Sequence, residues 1–354
     1  MKVCIILGTR PEIIKMSPII KECQKRSLDY FIIHTGQHYS YNLDKIFFEE
    51  LELPEPRYNL EIGSHIHGKQ MNLMTKKIEE KLKLEKPDIV LVEGDTNSVL
   101  AGALVANKLG IKIGHVEAGL RSYQVMLEEF NRTITGIYAD YHFSPTKNSK
   151  ENLIKEGIDE NKIFVTGNTV VDALNENIKI SNKKYEILKK LNLKKDEYFI
   201  LTLHRAESVD DKTKLSNIFK SLEGLSQKYK IVFPVHPRTK NKLIEFELKV
   251  PEGVIEIEPL GYLEFLQLMA NSRLIITDSG GIQEESCILK IPCVTVREGT
   301  ERPETLEVGS NLLAGYEQDK IIRSVELMLK KEKNWENPFG NGKTAEKIIN
   351  VILS

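Results

Sequence analysis

The chain has 354 residues, 41% hydrophobic and 29% charged, with 50 Lys plus Arg against 51 Asp plus Glu and a formal net charge of −1. A single hydrophobic core stops growing near ~250–300 residues, so two domains are expected. The charge balance excludes the basic stripe of a nucleic-acid binder, so any anionic ligand must be held by a local site.

The first apolar run, Cys4-Ile5-Ile6-Leu7, stops at Gly8, well short of the ~7–15 residues of a signal-peptide core. No run approaches the ~18 apolar residues of a membrane span. The four cysteines, Cys4, Cys23, Cys287 and Cys293, form no C-x-x-C pair and read as buried, reduced thiols. A cytoplasmic protein without membrane insertion is expected.

In chain order, the first half predicts strands over Val3–Leu7, Tyr30–His34, Ile89–Glu93, Lys112–Val116, Tyr141–Ser144 and Ile163–Thr166. Most are continuously apolar, as parallel strands buried on both faces must be. Helices fit between them. Pro11 suits a first helical turn, Val99–Leu109 stops at Gly110, and Thr146-x-x-Ser149 opens a helix that stops at Gly157. The stretch 169–197 is rich in Lys and Asn and reads as a linker with one surface helix.

The alternation then restarts with Phe199–Leu203, Ile231–Val235, Val254–Ile257, Leu274–Thr277, Val294–Val296 and Leu312–Ala314, and ends in helices over Asp319–Leu329 and Lys343–Leu353. Two successive β-α-β blocks predict an α/β protein with two Rossmann-like, doubly wound domains facing across a cleft. The expected boundaries are 1–168, a linker at 169–197, 198–335, and a last helix within 336–354 returning towards the first domain.

Ligands of open parallel sheets sit at the carboxyl ends of the strands, which selects the residues to weigh. Gly8-Thr9-Arg10-Pro11-Glu12 joins a tight turn to a helix N-terminus, whose backbone N–H groups suit an anion, and Arg10 adds a phosphate-binding fork. A structural turn with an exposed arginine fits the same residues. G-x-G-x-x-G and the P-loop are both absent. At Asp278-Ser279-Gly280-Gly281-Ile282-Gln283-Glu284-Glu285 a glycine pair admits close approach to the backbone, and Glu285 lies where ribose hydroxyls would be bound. Helix capping by Ser279 is the plainer alternative. Asp95 and Glu117 end different strands, with Glu128 and Glu129 at a helix start beyond them, which makes them candidates for proton transfer. His204-Arg205 and His236-Pro237-Arg238 end two strands of the second half and suit a phosphate or a leaving group. There is no H-E-x-x-H, and His65-x-His67 lacks an obvious third ligand, so no catalytic metal is expected.

Gly8-Thr9-Arg10-Pro11-Glu12, Thr35-Gly36-Gln37-His38, Gly94-Asp95-Thr96, His115-Val116-Glu117-Ala118-Gly119-Leu120-Arg121, His204-Arg205-x-Glu207, Pro234-Val235-His236-Pro237, Asp278–Glu285 and Glu301-Arg302-Pro303-Glu304 occur in this order. Across nearly the whole chain this set resembles the non-hydrolysing UDP-N-acetylglucosamine 2-epimerases. The resemblance implies a GT-B-like fold and interconversion of UDP-N-acetylglucosamine and UDP-N-acetylmannosamine. UDP is eliminated to leave a 2-acetamidoglucal and is then added back. It implies acid/base roles for Asp95, Glu117 and Glu128, and stabilisation of departing UDP by Arg10 and His204. Lys15 matches a lysine near the site. Ser279, Gly280, Gly281 and Glu285 would hold UDP, and Arg302 a phosphate. Gln37, Gln70, Arg205 and His236 match positions lining a regulatory pocket for a second UDP-N-acetylglucosamine. No cofactor is implied, since no step is a net redox change. A homodimer built through the first domain and a role in cell-surface polysaccharide synthesis are implied as well.

One run departs from the family pattern. Relatives usually read Arg-Ser-(Tyr/Phe)-Asp-x-x-Met-Pro-Glu-Glu-x-Asn-Arg. Here Arg121–Arg132 is one residue shorter, lacks the Asp, and has Leu127 in place of Pro. The Glu pair survives, which aligns Glu128 with the catalytic acid. A GT-B glycosyltransferase, a sister epimerase acting on a UDP-diacetamido-uronic acid and a hydrolysing epimerase are the enzyme alternatives. A UDP-sugar sensor is the non-enzyme one.

Overall fold

The computed structural model describes residues 1–37, 41–121 and 127–354, with the side chains of 41–43 left aside. His38 and most of the shortened loop, residues 122–126, lie outside the described residues. The chain divides into two compact units, Met1–Asn175 with Phe339–Ser354, and Glu176–Pro338.

The first unit is built on seven parallel strands: β1 (Lys2–Leu7), β2 (Asp29–His34), β3 (Tyr58–Asn59), β4 (Ile89–Glu93), β5 (Lys112–Val116), β6 (Tyr141–Ser144) and β7 (Ile163–Val165). Their order is β3-β2-β1-β4-β5-β6-β7. The chain moves outward in one direction from β1, then restarts at β4 on its other side, so the topological switch point lies between β1 and β4. Val3–Leu7 and Ile89–Val92 are fully buried, as their uninterrupted apolar sequence requires. On one face the helix Asn97–Lys108 packs between the helices His67–Glu85 and Leu127–Tyr138. Its Ala- and Val-rich sequence is what lets nine of its twelve residues be buried.

The second unit repeats the plan with six parallel strands: β8 (Tyr198–Thr202), β9 (Lys230–Pro234), β10 (Val254–Ile257), β11 (Leu274–Thr277), β12 (Cys293–Thr295) and β13 (Asn311–Leu313). Their order is β10-β9-β8-β11-β12-β13, which puts the switch point between β8 and β11. The core joins Phe199, Leu201, Ile231, Phe233, Ile276 and Val294 to helix residues such as Leu215, Leu222 and Ile321.

Two details differ from the sequence reading. The edge strand β3 is two residues long, too short to leave a periodic signal. The stretch 169–197, expected as a linker, carries a helix over Thr169–Lys184 and a short one over Ile187–Lys190. Val170, Val171, Ala173, Leu174, Asn177 and Ser181 of the first are buried, Ser181 Oγ donates to the Leu263 carbonyl at 2.6 Å, and the unit boundary falls inside this helix. Most of the Lys and Asn residues that suggested a linker, namely Asn175, Lys179, Asn182, Lys183 and Lys184, occupy its outer positions. The last helix, Thr344–Leu353, is counted with the first unit. It packs on the helix Arg10–Lys25, and the Ala345 N–H donates to Asp172 at 3.0 Å. Among the described residues no helix is long and apolar enough to cross a membrane.

Candidate active site

At the switch point of the first unit the loop after β1 is tied to the loop after β4 by Glu12. One carboxylate oxygen accepts the Gly8 and Thr9 N–H groups at 2.6 and 2.8 Å, and the other accepts Thr96 Oγ1 at 2.5 Å. Glu12 is buried, which pushes its carboxyl up, and these hydrogen bonds oppose the rise. The Gly8 and Thr9 N–H groups, expected to be open to an anion, are therefore occupied by a side chain of the same helix. Gly8 has a packing reason as well. A Cβ there would lie 2.0 Å from Thr35 Oγ1 and 2.2 Å from Ser98 Oγ. Arg10 stands at the start of the helix, with its guanidinium 5.2 Å above the Phe47 ring and its Nε 3.5 Å from Asp44.

Three charged groups meet between the helix Arg10–Lys25 and the ends of β4 and β5. Lys15 Nζ lies 3.2 Å from Glu93 Oε1 and is bonded to Glu117 Oε2, which also accepts Asn168 Nδ2 at 3.2 Å. Glu117 has φ +63°. This left-handed conformation is costly for a residue with a Cβ and concentrates at functional sites. Asp95 is bonded to Arg132, which also lies 3.2 Å from Glu129. Glu129 in turn faces Arg121 at 3.5 Å. Glu128 is exposed, so the arginine network holds the second member of the Glu pair. Below them Asn131 Nδ2 donates to the Asp95 carbonyl at 2.9 Å and to Asn97 at 3.1 Å.

Gln37 and Gln70 belong to the same buried network. Ser98 donates its N–H and its hydroxyl to Gln37 Oε1, at 3.0 and 2.8 Å. Gln70 donates to the carbonyls of Gln37 and Gly63, both at 2.9 Å, and accepts from Asn97 at 2.8 Å. Gln70 therefore shapes this region by holding the Gln37 backbone.

In the second unit the corresponding tie is Asp278, at the end of β11. One oxygen accepts the N–H groups of His204 and Arg205, both at 2.9 Å, and the other lies 3.1 Å from His204 Nδ1. Burial alone raises the Asp278 carboxyl, but these bonds, led by the His204 ring, hold it below the usual range. The His204 side chain is 41% exposed. The ring of His236 lies 5.6 Å from it, and His236 Nδ1 caps its own helix by accepting the Arg238 N–H at 3.2 Å.

Ser279 caps the helix Gly280–Ile288. The two glycines that follow differ. A Cβ on Gly280 would lie 2.4 Å from Glu301 Oε1, so this glycine is demanded by packing. Gly281 is exposed and meets nothing nearer than Ser279 Oγ at 4.0 Å. Glu301 sits between Arg205 at 2.6 Å and Arg297 at 2.8 Å. Burial works against its charge, but the two arginines hold its carboxyl down at about 2. Arg302 is buried, 3.3 Å from Glu284, and donates to the Glu301 carbonyl at 3.2 Å. Glu285, one turn into the helix, is half-buried.

Sequence reasoning passed over Glu12, Glu93, Asn168 and Glu301. A signal existed for Glu93, the one charge in the otherwise aliphatic strand Ile-Val-Leu-Val-Glu. None existed for Asn168, which reaches Glu117 across 51 residues of chain.

A family model described as UDP-N-acetylglucosamine 2-epimerase matches residues 21–353. The UDP-N-acetylglucosamine 2-epimerase of Methanocaldococcus jannaschii is 56% identical over 361 residues, covering 99% of this chain and 99% of that protein. The crystal structure of the Methanocaldococcus jannaschii enzyme in complex with UDP-GlcNAc and UDP matches with a TM-score of 0.89 at 56% identity, covering 100% of this chain and 99% of that one. That of the Neisseria meningitidis enzyme bound to UDP-GlcNAc matches with a TM-score of 0.89 at 35% identity, covering 100% of each. These likenesses support the epimerase reading over the glycosyltransferase one. With its two α/β units of GT-B-like type and a match along its whole length, the chain belongs to the UDP-N-acetylglucosamine 2-epimerase family.

Proposed function

We propose that this chain interconverts UDP-N-acetylglucosamine and UDP-N-acetylmannosamine without hydrolysing either. The observation that carries this is the 56% identity, along the whole chain, to a 2-epimerase crystallised with UDP-GlcNAc and UDP. No ring carbonyl activates the C2 hydrogen, so its removal must accompany loss of UDP. The C–H electron pair becomes the C1–C2 double bond of 2-acetamidoglucal, and the C1–O pair leaves with the diphosphate. Adding UDP back with a proton on the other face completes the inversion.

The second unit holds UDP. Ser279, Gly280 and Gly281 offer a helix N-terminus to the diphosphate, Glu285 takes the ribose hydroxyls, and Arg302 adds positive charge. His204, braced at Nδ1 by Asp278, leaves Nε2 for the departing phosphate oxygen. The first unit carries the proton traffic through Asp95, Glu117 and Glu128, with Lys15 beside Glu117 and Arg10 as a further phosphate ligand. Gln37, Gln70, Arg205 and His236 form the place of a second, activating UDP-N-acetylglucosamine, with Gln70 acting through the Gln37 backbone. The enzyme works in the cytoplasm as a homodimer built through its first unit and supplies a sugar nucleotide for cell-surface polysaccharide.

Incubation with UDP-N-acetylglucosamine in deuterated water, followed by NMR, tests this directly. Deuterium at C2 together with UDP-N-acetylmannosamine is expected. Free N-acetylmannosamine with UDP would instead mean the hydrolysing reaction. Turnover confined to a UDP-diacetamido-uronic acid would mean the sister one.

A further inference from the structure

Glu93 ends β4 two residues before Asp95, after four aliphatic residues. Its side chain is 3% exposed. A carboxyl in such a place is costly in its charged form unless it is paired. The groups facing it are Lys15 and Glu12 of the helix Arg10–Lys25 and Glu117 beyond β5. Among the described residues Lys15 is the cation paired with Glu93 and Glu117, with Glu12 a third carboxyl acting on Glu93, and full ionisation of all three sets more negative than positive charge among them. Such clusters relieve it by keeping a proton.

Hydrogen bonding shows which carboxyl gives way. Glu12 accepts from two backbone N–H groups and Thr96. Glu117 accepts from Lys15 and Asn168. Glu93 Oε1 has the ion pair to Lys15 but no hydrogen bond of good geometry. Glu12 and Glu117 thus receive hydrogen bonds that favour their anions, although burial still leaves the Glu12 carboxyl raised, whereas Glu93 Oε1 receives none.

We propose that Glu93 is a positioning residue for Glu117: it carries a proton that keeps the Lys15–Glu93–Glu117 set neutral, so that Lys15 stays charged and Glu117 is the ionised member offered to the substrate. This rests on the epimerase reading above. Burial pushes the Glu93 carboxyl well above the usual range; Lys15 opposes the rise, and Glu117 and Glu12 add to it. When Glu117 takes the C2 proton, the set gains one proton; a different acid protonates C2 from the opposite face as UDP returns, and exchange with solvent restores both groups, so no co-reactant is needed. At alkaline pH, loss of the Glu93 proton places a second anion on Lys15 and raises the proton affinity of Glu117.

The test is a pH titration of the full-length wild-type protein with 13C-labelled glutamate side chains, alongside kcat/KM against pH. One glutamate carboxyl should remain protonated above pH ~6, where an ordinary one is ionised, and its resonance should be missing from the Glu93→Gln spectrum. Glu93→Gln holds the neutral state permanently, so the alkaline fall of kcat/KM should move up by about one pH unit or more, with KM within about twofold of wild type. A purely structural role would not move that limb. Should Glu93→Gln not fold, Glu93→Asp assigns the resonance, and the wild-type titration decides alone. The inference is overturned if every wild-type glutamate titrates in the ordinary range, or if the alkaline limbs of variant and wild type coincide. A wild-type protein that turns over no UDP-sugar would overturn the epimerase reading instead, while the carboxyl titration would still show whether the proton is there.

Discussion

Asp278 grips His204 at two points, its backbone N–H at 2.9 Å and its ring Nδ1 at 3.1 Å, through different carboxylate oxygens. A carboxylate beside Nδ1 favours a proton there, and Nε2 donates to a phosphate oxygen when it carries one as well. Glu12 is the counterpart in the first unit, taking the two N–H groups that follow β1. In both units a buried carboxylate ties the loop after the first strand to the loop after the fourth. The carboxylate comes from the helix that follows the first strand in one unit and from the fourth strand's end in the other.

Asp278→Asn follows from this geometry. The amide keeps an acceptor for the backbone N–H groups, but it offers Nδ1 a donor and removes the negative charge that supports a ring carrying protons on both nitrogens. We expect kcat to fall on the order of a hundredfold or more, with UDP affinity by calorimetry within about threefold of wild type. Turnover near the wild-type rate would show that the protonation of His204 is immaterial.

The glycine pair gives a contrast within two residues. Gly280→Ala must displace the Glu301 carboxylate from 2.4 Å, breaking its bracket between Arg205 and Arg297, and should cost about 1–3 kcal/mol of stability in urea unfolding. Gly281→Ala has space around it, so its unfolding midpoint should match wild type while its UDP affinity drops at least tenfold. Equal UDP affinity for Gly281→Ala and wild type would remove the helix start from the diphosphate site.

Glu128 and Glu129 should separate in the same way. Glu129→Gln releases Arg121 and Arg132 and should lower both the thermal midpoint and kcat. Glu128→Gln, at an exposed position, should leave the thermal midpoint in place and reduce kcat alone. A Glu128→Gln enzyme as active as wild type would move the acid/base role to another carboxylate.

Stability should weaken in mild acid for a reason distant from the chemistry. His115 and His142 are register partners on β5 and β6 and are fully buried. Burial pushes them down to about 3 and about 4, from ~6.5 in the unfolded chain. Between those values the unfolded chain binds the protons, so stability is whole above pH ~6.5 and is lost as pH falls below it. Each histidine should cost about 2 kcal/mol between pH 7.5 and 5. His142→Gln should cut the acid-induced drop in the urea midpoint by close to half, and an unaltered drop would place the sensitivity elsewhere.

Strands were the most legible feature of the sequence. Ile89–Glu93, Lys112–Val116, Tyr141–Ser144, Val254–Ile257 and Leu274–Thr277 have the same ends in the reading and in the structure; Ile89–Val92 and Leu274–Ile276 show why, since a strand buried on both faces must be apolar without a break. The two-residue β3 carried too few residues to show periodicity. Within the site, Asp95, Glu117 and His204 stood out because polar residues at strand ends are conspicuous, whereas Lys15, inside a helix, stood out only through the family resemblance. Their supports were not legible, because Glu12, Asn131, Asn168 and Glu301 look like ordinary polar residues until the fold brings them to their partners. Gly8 illustrates the limit. Its place in the motif suggested an anion, and its surroundings show a packing requirement with Thr35 and Ser98.

The helix Thr344–Leu353 belongs to the first unit although the whole second unit precedes it in the chain. During synthesis the first unit therefore waits on the order of ten seconds, at ~5–20 residues per second, before Ile348, Ile349 and Ile352 arrive to cover the helix Arg10–Lys25. Over that interval the nascent chain shows the ribosome's surroundings an apolar face that the finished protein conceals. Chaperone demand should accordingly peak late in translation, and release from the ribosome, not completion of the first sheet, sets when the first unit becomes whole.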